Sequence, residues 1–324
     1  AYGQLGQGNL TSYSSPVQVG ALTDWATPSG GTFFAVSVKQ DGTLWGWGEN
    51  GKGQLGNGNT TDVSSPVQVG ALTDWLSVAG GEYFAGAIKT DGTLWTWGDN
   101  TYGQLGQGNT TAYSSPVQVG ALTTWSALAL GVTFLIATKT DGTLWALGRN
   151  NEGQLGQGNL TSYSSPVQVG ALTDWTTEIG AGFKQSFAVK SDGTLWSWGD
   201  GQNGALGLGN TTKYSSPVQV GALTDWDKVT ANNAGALCVK TDDTLWAWGD
   251  NCSGQVGDGT ITNRSSPVQI GALTNWSTVG TGQNISFSLK TDGTLWAWGD
   301  NSIHGPLGLG DTTKRSSPTQ VGSL

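Results

Sequence analysis

His304 is the only histidine, and Cys238 and Cys252 the only cysteines, so few residues in this chain could ligate a transition metal or shuttle protons. Zinc centres draw three or four such ligands from closely spaced positions, and these three residues offer no cluster. No cofactor is therefore expected. A serine nucleophile would have to share that single histidine, and no Gly-X-Ser-X-Gly elbow occurs. Neither is there an Asp-X-Asp-X-Asp-Gly calcium loop. Carboxylates are plentiful, but no pair stands out as an acid and base for hydrolysis. The exception in kind is Glu178, in a column otherwise filled by Pro28, Val78, Leu128, Val229 and Val279. Two readings stay open for it. A bulge lets Ile179 take the apolar place, or the carboxylate faces a central channel beside Asp227 and Lys228. Nothing else suggests catalysis, and the chain reads as a non-enzyme. The two cysteines are expected to be free thiols, with Cys238 a small buried hydrophobe.

Those residues sit in a repeat. Trp25, Trp75, Trp125, Trp175, Trp226 and Trp276 follow one another at spacings of 50, 50, 50, 51 and 50, and SSPVQVGALTDW at 14–25 returns unchanged at 64–75. A period of this length means a stacked or radial array of one supersecondary unit. In the first unit, WATPSG and FFAVSVK read as strands, and an Asp-Gly pair at Asp41–Gly42 supplies a hairpin turn. TLWGWG is a third strand, rich in aromatic residues. After a polar connection, SPVQVG is an outer strand whose proline suits an edge. Glycine every few residues, and no apolar spacing of three or four, leaves helix no foothold. The second strand carries large residues on one face and small ones on the other, as a sheet packed between similar sheets would. The fold class is thus all-β, a propeller of four-stranded blades, in a single domain spanning 1–324.

DGTLWGWGENGKGQLGNG (41–58), its copies beginning at Asp91, Asp141, Asp192 and Asp292, and the trailing PVQVG resemble the RCC1-like repeat. The resemblance covers essentially the whole chain and implies a propeller, usually seven-bladed. It is poor guidance on activity, because it embraces nucleotide-exchange factors on chromatin, protein inhibitors of secreted enzymes and tryptophan-based ultraviolet sensors. GQLG-type segments begin at Gly3, Gly53, Gly103, Gly153, Gly204, Gly254 and Gly305, against six copies of the first three strands. The count gives six complete blades plus a surplus outer strand at Ser14–Gly20. The ring has seven blades if a further three-strand set exists. A spare terminal strand could also support self-association. The lack of any methionine leads us to expect a processed chain.

Copy-to-copy variation concentrates between the first and second strands and between the third and fourth. In antiparallel blades these connections emerge at the same end. We expect that end to recognise a protein or glycan partner, with Lys52, Tyr83, Tyr102, Glu152, Lys184, Asn232, Asn233, Ile303 and His304 as its candidate contacts. The tryptophans at Trp45, Trp47 and equivalent positions read as buried columns between blades. Arg149, Arg264 and Arg315 are too few to build a cation–π stack in every repeat. Lys39, Lys89, Lys139, Lys190, Lys240 and Lys290 read as balanced by the aspartates two places on. With 14 basic and 23 acidic residues, a net charge of −9 speaks against nucleic acid. No apolar run is long enough for a membrane span. The leading expectation is a non-catalytic recognition or structural module at an extracellular, cell or virus surface. Alternatives are a cytoplasmic interaction scaffold or regulator, and a proteinaceous enzyme inhibitor. Asn9, Asn59, Asn109, Asn159, Asn210, Asn251, Asn263, Asn275 and Asn284 satisfy the N-glycosylation rule.

Overall fold

The computed structural model describes residues 2–21 and 23–322. These form six four-stranded antiparallel sheets in strict chain order, and the fold class is the all-β propeller with six such blades. The blades span 25–68, 75–118, 125–168, 175–219, 226–269 and 276–320. Blade 1 shows the plan, with an inner strand Trp25–Gly30, a second strand Phe34–Lys39, a third Leu44–Gly48 and an outer Val63–Gln68. The described residues divide into two compact units. One holds blades 1 to 3 with residues 2–12, and the other holds blades 4 to 6 with residues 13–17 and 152–160.

Alternation of large and small side chains on the second strand decides how blades pack. Within the first unit, Phe34, Val36, Val38 and Leu44 of blade 1 bury against Trp75, Val78, Ala85, Ala87 and Trp97 of blade 2. Within the second unit, Leu237, Val239 and Leu245 of blade 5 meet Trp276 and Trp298 of blade 6 in the same way. Within each unit a blade offers bulky aliphatics to the next, which receives them on alanine, serine and tryptophan. At roughly 25 cal/mol per Å2 of apolar surface, such repeated interfaces are the main stabilising term. A ring N–H reinforces them. Trp97 Nε1 donates to Gln54 O at 2.9 Å, and Trp248 Nε1 to Ala205 O at 3.1 Å, each bond reaching the preceding blade's connection.

The Asp-Gly turn is stapled the same way in every blade. In blade 2 the Asp91 carboxylate accepts from the Thr93 N–H at 3.0 Å and from its hydroxyl at 2.7 Å, and Thr93 Oγ1 accepts the Trp95 indole N–H at 2.8 Å. Gly92 has φ +77°, and a Cβ there would lie 2.3 Å from Thr123 O, so conformation and close approach both call for glycine. Blade 5 has Asp243 at this place, at φ 59°.

The surplus segment at Ser14–Gly20 is not a strand. In the second unit Ser14 O accepts from Gly310 N at 2.7 Å, the bond that Ser316 O makes to Gly259 N at 2.8 Å one blade earlier. In the first unit Gln4 O accepts the Trp47 indole N–H at 3.0 Å. The terminal copy therefore makes the loop contacts of its repeat without the ladder. Among the described residues no third strand pairs with it.

Two further expectations need correction. A cation–π stack does recur in every blade, with lysine as the cation. Lys89 Nζ lies 4.9 Å from the Trp75 ring and 4.5 Å from Trp95, and the other five lysines repeat the arrangement. In four blades the ion-pair partner is not the turn aspartate but the aspartate before the inner tryptophan, as in Lys89–Asp74 at 3.3 Å. The turn aspartate is taken up by threonine.

Candidate functional site

The end of the blades that carries the variable connections is assembled tightly. In the first unit a Cβ on Gly31 would lie 2.5 Å from Gly81 O, and one on Gly81 would lie 2.8 Å from Gly131 O. Successive loops thus touch backbone to backbone, and the glycines make that possible. Glu82 N donates to Val132 O in the next loop. On this scaffold Glu49, Asp62, Glu82 and Asp99 come together. Burial pushes the Glu49 carboxyl up, and the charges of Asp62 and Glu82 push it further. Glu82 is raised by burial and then by Asp99. The Tyr83 phenol, half-buried beside them, is raised by burial, Glu82 and Glu49. Asp99 takes a hydrogen bond from Gln104 Nε2 at 2.7 Å. Tyr102 is exposed and carries the Arg149 guanidinium 4.6 Å above its ring. Phe33 and Tyr2 add an exposed aromatic pair with centroids 5.3 Å apart. Lys52 is exposed nearby in sequence, its backbone N–H held by Gln54 Oε1 at 2.8 Å.

The second unit presents paired charge instead. Glu152 bridges Lys184, at 3.5 Å, and Lys213. Burial pushes the Glu152 carboxyl up, but the bond and charge of Lys213, with Lys184, hold it below the usual range. Lys184 also faces Asp200 at 3.9 Å. Arg264 pairs with Asp258, and Arg315 with Asp311. Ile303 and His304 are exposed on the last blade, His304 at φ 66°.

Asn232 and Asn233 sit together in one connection of the second unit. Asn232 is 8% exposed, its Oδ1 accepts from Ala234 N at 3.0 Å, and the carbonyls of Asn232 and Asn233 both accept from Gln185 Nε2. The Asn232 side chain is therefore not on offer to a partner, because it folds its own loop. Glu178, Asp227 and Lys228 do come together. Burial raises Glu178, Asp227 raises it further, and Lys228 opposes. The bulge is present too, with Ile179 opposite Ala188 in the place of Val78 opposite Ala87. Glu49, Glu82 and Asp99 were not singled out by sequence. The available signal was the charge reversal to Arg149 at the position held by Glu49 and Asp99.

Residues 1–236 match the RCC1-like domain. The chain belongs to the RCC1-like domain family. Residues 242–289 match a single RCC1 (regulator of chromosome condensation) repeat. Among solved structures the RCC1-like chain is similar to human WBSCR16, at 21% identity and a TM-score of 0.84, covering 95% of this chain and 84% of that one. It is also similar to Prp20, the yeast RCC1, in complex with Kap60, at 20% identity and a TM-score of 0.79 over 92% of this chain and 74% of that one. Saccharomyces cerevisiae Prp20p, described with binding to Gsp1p and histones, gives 20% and 0.80 over 92% and 76%. At these identities the likeness concerns the propeller fold alone. Among the described residues no group of three or more His, Cys, Asp or Glu could hold a metal ion.

Proposed function

We propose that this RCC1-like chain is a non-catalytic binding module that takes a basic segment of a protein partner on the acidic, aromatic patch of its first unit. Glu49, Asp62, Glu82 and Asp99 supply the charge, and Tyr83, Tyr102 and Phe33 the apolar contact. One observation carries the reading. Burial raises both Glu49 and Glu82, Asp62 and Glu82 raise Glu49 further and Asp99 raises Glu82, so the patch gathers carboxylates that make no ion pair with a cation among the described residues. A lysine or arginine side chain would relieve that repulsion. The direct test is binding of a lysine- and arginine-rich peptide at 0.15 M salt to the chain and to a Glu49→Gln/Glu82→Gln variant. The expected outcome is roughly tenfold weaker binding for each charged contact removed, about 1.4 kcal/mol in a partly desolvated site. Equal affinity for both proteins overturns the reading.

Display at an extracellular or cell surface remains our proposal for its setting, supported by the sparse charge and the polar loops. Asn9, Asn59, Asn109 and Asn159 are exposed, whereas Asn251 is fully buried. Mass increments of glycan on the exposed set, and none on Asn251, are expected from native material. Unmodified native protein instead supports the intracellular interaction scaffold. Among the described residues no helix is long and apolar enough to cross a membrane.

A further inference from the structure

At the opposite end of the blades, the lysine that closes each second strand lies under two indoles. In four blades a carboxylate completes the cluster, through Lys39–Asp24 at 3.6 Å, Lys89–Asp74 at 3.3 Å, Lys190–Asp174 at 3.4 Å and Lys240–Asp225 at 3.2 Å. These ammoniums are nearly buried, but the aspartate side chains are 39–44% exposed. The acid thus sits on the solvent side of the cation. Blade 6 has Asn275 at that place, and blade 3 has Thr124.

Blade 3 is the open case. Lys139 is 8% exposed and makes no ion pair among the described residues. Its Nζ lies 4.8 Å from the Trp125 ring and only 3.5 Å from Trp145, whereas the acid-paired lysines stand 4.2–4.5 Å from the matching indole. The cation leans on the one attractive surface left to it. Burial holds Lys139 below the usual lysine range, with only the Asp141 charge acting the other way. Thr124 is exposed and too short to replace a carboxylate. The same two indoles wall an open groove of 570 Å3, lined also by Gln107, Gln118, Leu122 and Pro166.

We propose that Lys139 and this groove form a binding site for an acidic side chain of a partner polypeptide, its carboxylate taking the place that Asp74 holds one blade earlier. The carboxylate approaches from solvent, as the resident aspartates do, and no strand has to open. An apolar residue beside it covers Leu122, Trp125 and Pro166, and the glutamines can bond its backbone. A burial that disfavours a lone ammonium favours its capture of a counter-ion. The protein's overall negative charge opposes this only weakly at physiological salt, where screening acts over about 8 Å. The site is separate from the acidic patch proposed above and prefers the opposite charge.

The test is carbon-13 NMR of lysine-labelled protein at 0.15 M salt, titrated with acetyl-Leu-Glu-Glu-Leu-amide. The Lys139 Cε resonance is expected to shift saturably while Lys39, Lys89, Lys190 and Lys240 stay still. Thr124→Asp, which restores the residue of four other blades, should weaken binding at least tenfold. Asp74→Thr, which copies blade 3, should make Lys89 respond. The glutamine version of the peptide should leave Lys139 unmoved. No shift at Lys139, or undiminished binding to Thr124→Asp, overturns the proposal. An equal response to acetate alone overturns the polypeptide as occupant.

Discussion

At the scale of single residues, the most consequential side chain after the tryptophans is an asparagine in a loop. Asn100 is fully buried, its Nδ2 donates to Asn109 O at 3.1 Å and Thr111 O at 2.8 Å, and its Oδ1 accepts from Leu105 N at 2.9 Å. It holds the connection between third and outer strands in shape from within. Asn100→Ala leaves buried backbone groups without partners, and about 2–3 kcal/mol of stability should be lost in urea titrations. The six turn aspartates give a different signature. Each is held below the ordinary range, first by the threonine hydroxyl and then by the threonine N–H. A folded pKa below the unfolded value means stability that is present above about pH 3.9 and is lost as pH falls through the folded pKa. Glu49, Glu82 and Glu178 are raised, so their contribution is present at low pH and is lost as pH rises through their folded pKa. Thermal melts from pH 7 downward should therefore rise slightly as the glutamates protonate and then drop as the turn aspartates do. In a Glu49→Gln/Glu82→Gln/Glu178→Gln variant the rise should vanish and the drop remain. A drop that disappears with the rise would exclude the turns as its source.

At the scale of elements, blade 5 contains its own experiment. Asp243 adopts φ 59° where the other turns have glycine at φ 76–81°. Asp243→Gly should raise stability by about 0.5–1 kcal/mol, since an L-residue in the left-handed region carries a penalty of about 1–2 kcal/mol and glycine's extra unfolded-state freedom offsets part of it. Gly92→Ala should do the reverse and cost more, because its Cβ would meet Thr123 O. Denaturation midpoints at constant slope would check both. Elements of this kind were the legible part of the sequence. Asp-Gly, the aromatic third strand and the proline-led outer strand each carry a local signal, and the observed strands begin within a residue or two of the quoted segments. The lysine–tryptophan stack was illegible, because it joins Asp74, Trp75, Lys89 and Trp95 from three strands and a link. Sequence spacing places the turn aspartate nearer to each lysine, yet threonine takes that acid first. The acidic patch was hidden for a similar reason. Glu49 and Glu82 lie in connections of different blades, and only the glycine-mediated approach of those loops makes them neighbours. Asn100 looked like an ordinary polar loop residue, since nothing local in the sequence says that a loop will fold over its own side chain.

At the scale of the whole molecule, stability in a repeat array is the sum of blade terms and interfaces between neighbours, so protection should vary along the chain. The second unit contains a probe of this. Cys238, in blade 5, is fully buried between the faces of consecutive blades, and burial pushes its thiol well up. Cys252 is exposed. A thiol reagent should modify Cys252 at once and Cys238 only through opening of the sheet. Ser288 holds the place of Cys238 one blade later and is 2% exposed. Its own blade is less covered, however. Ile285 and Phe287 are half-buried and Leu289 is 37% exposed, where Leu237 and Val239 of blade 5 are at 1%. Fewer buried apolar contacts mean a smaller free energy of local opening. In a Cys252→Ser background, Ser288→Cys combined with Cys238→Ala should therefore react at least tenfold faster than the native Cys238, even though both thiols are hidden in the static structure. The rates should converge in denaturant near the global transition, where opening no longer depends on the blade. Equal protection at the two places in water would mean that blades 5 and 6 open as one cooperative body, and that the partly bare face of blade 6 weakens nothing behind it.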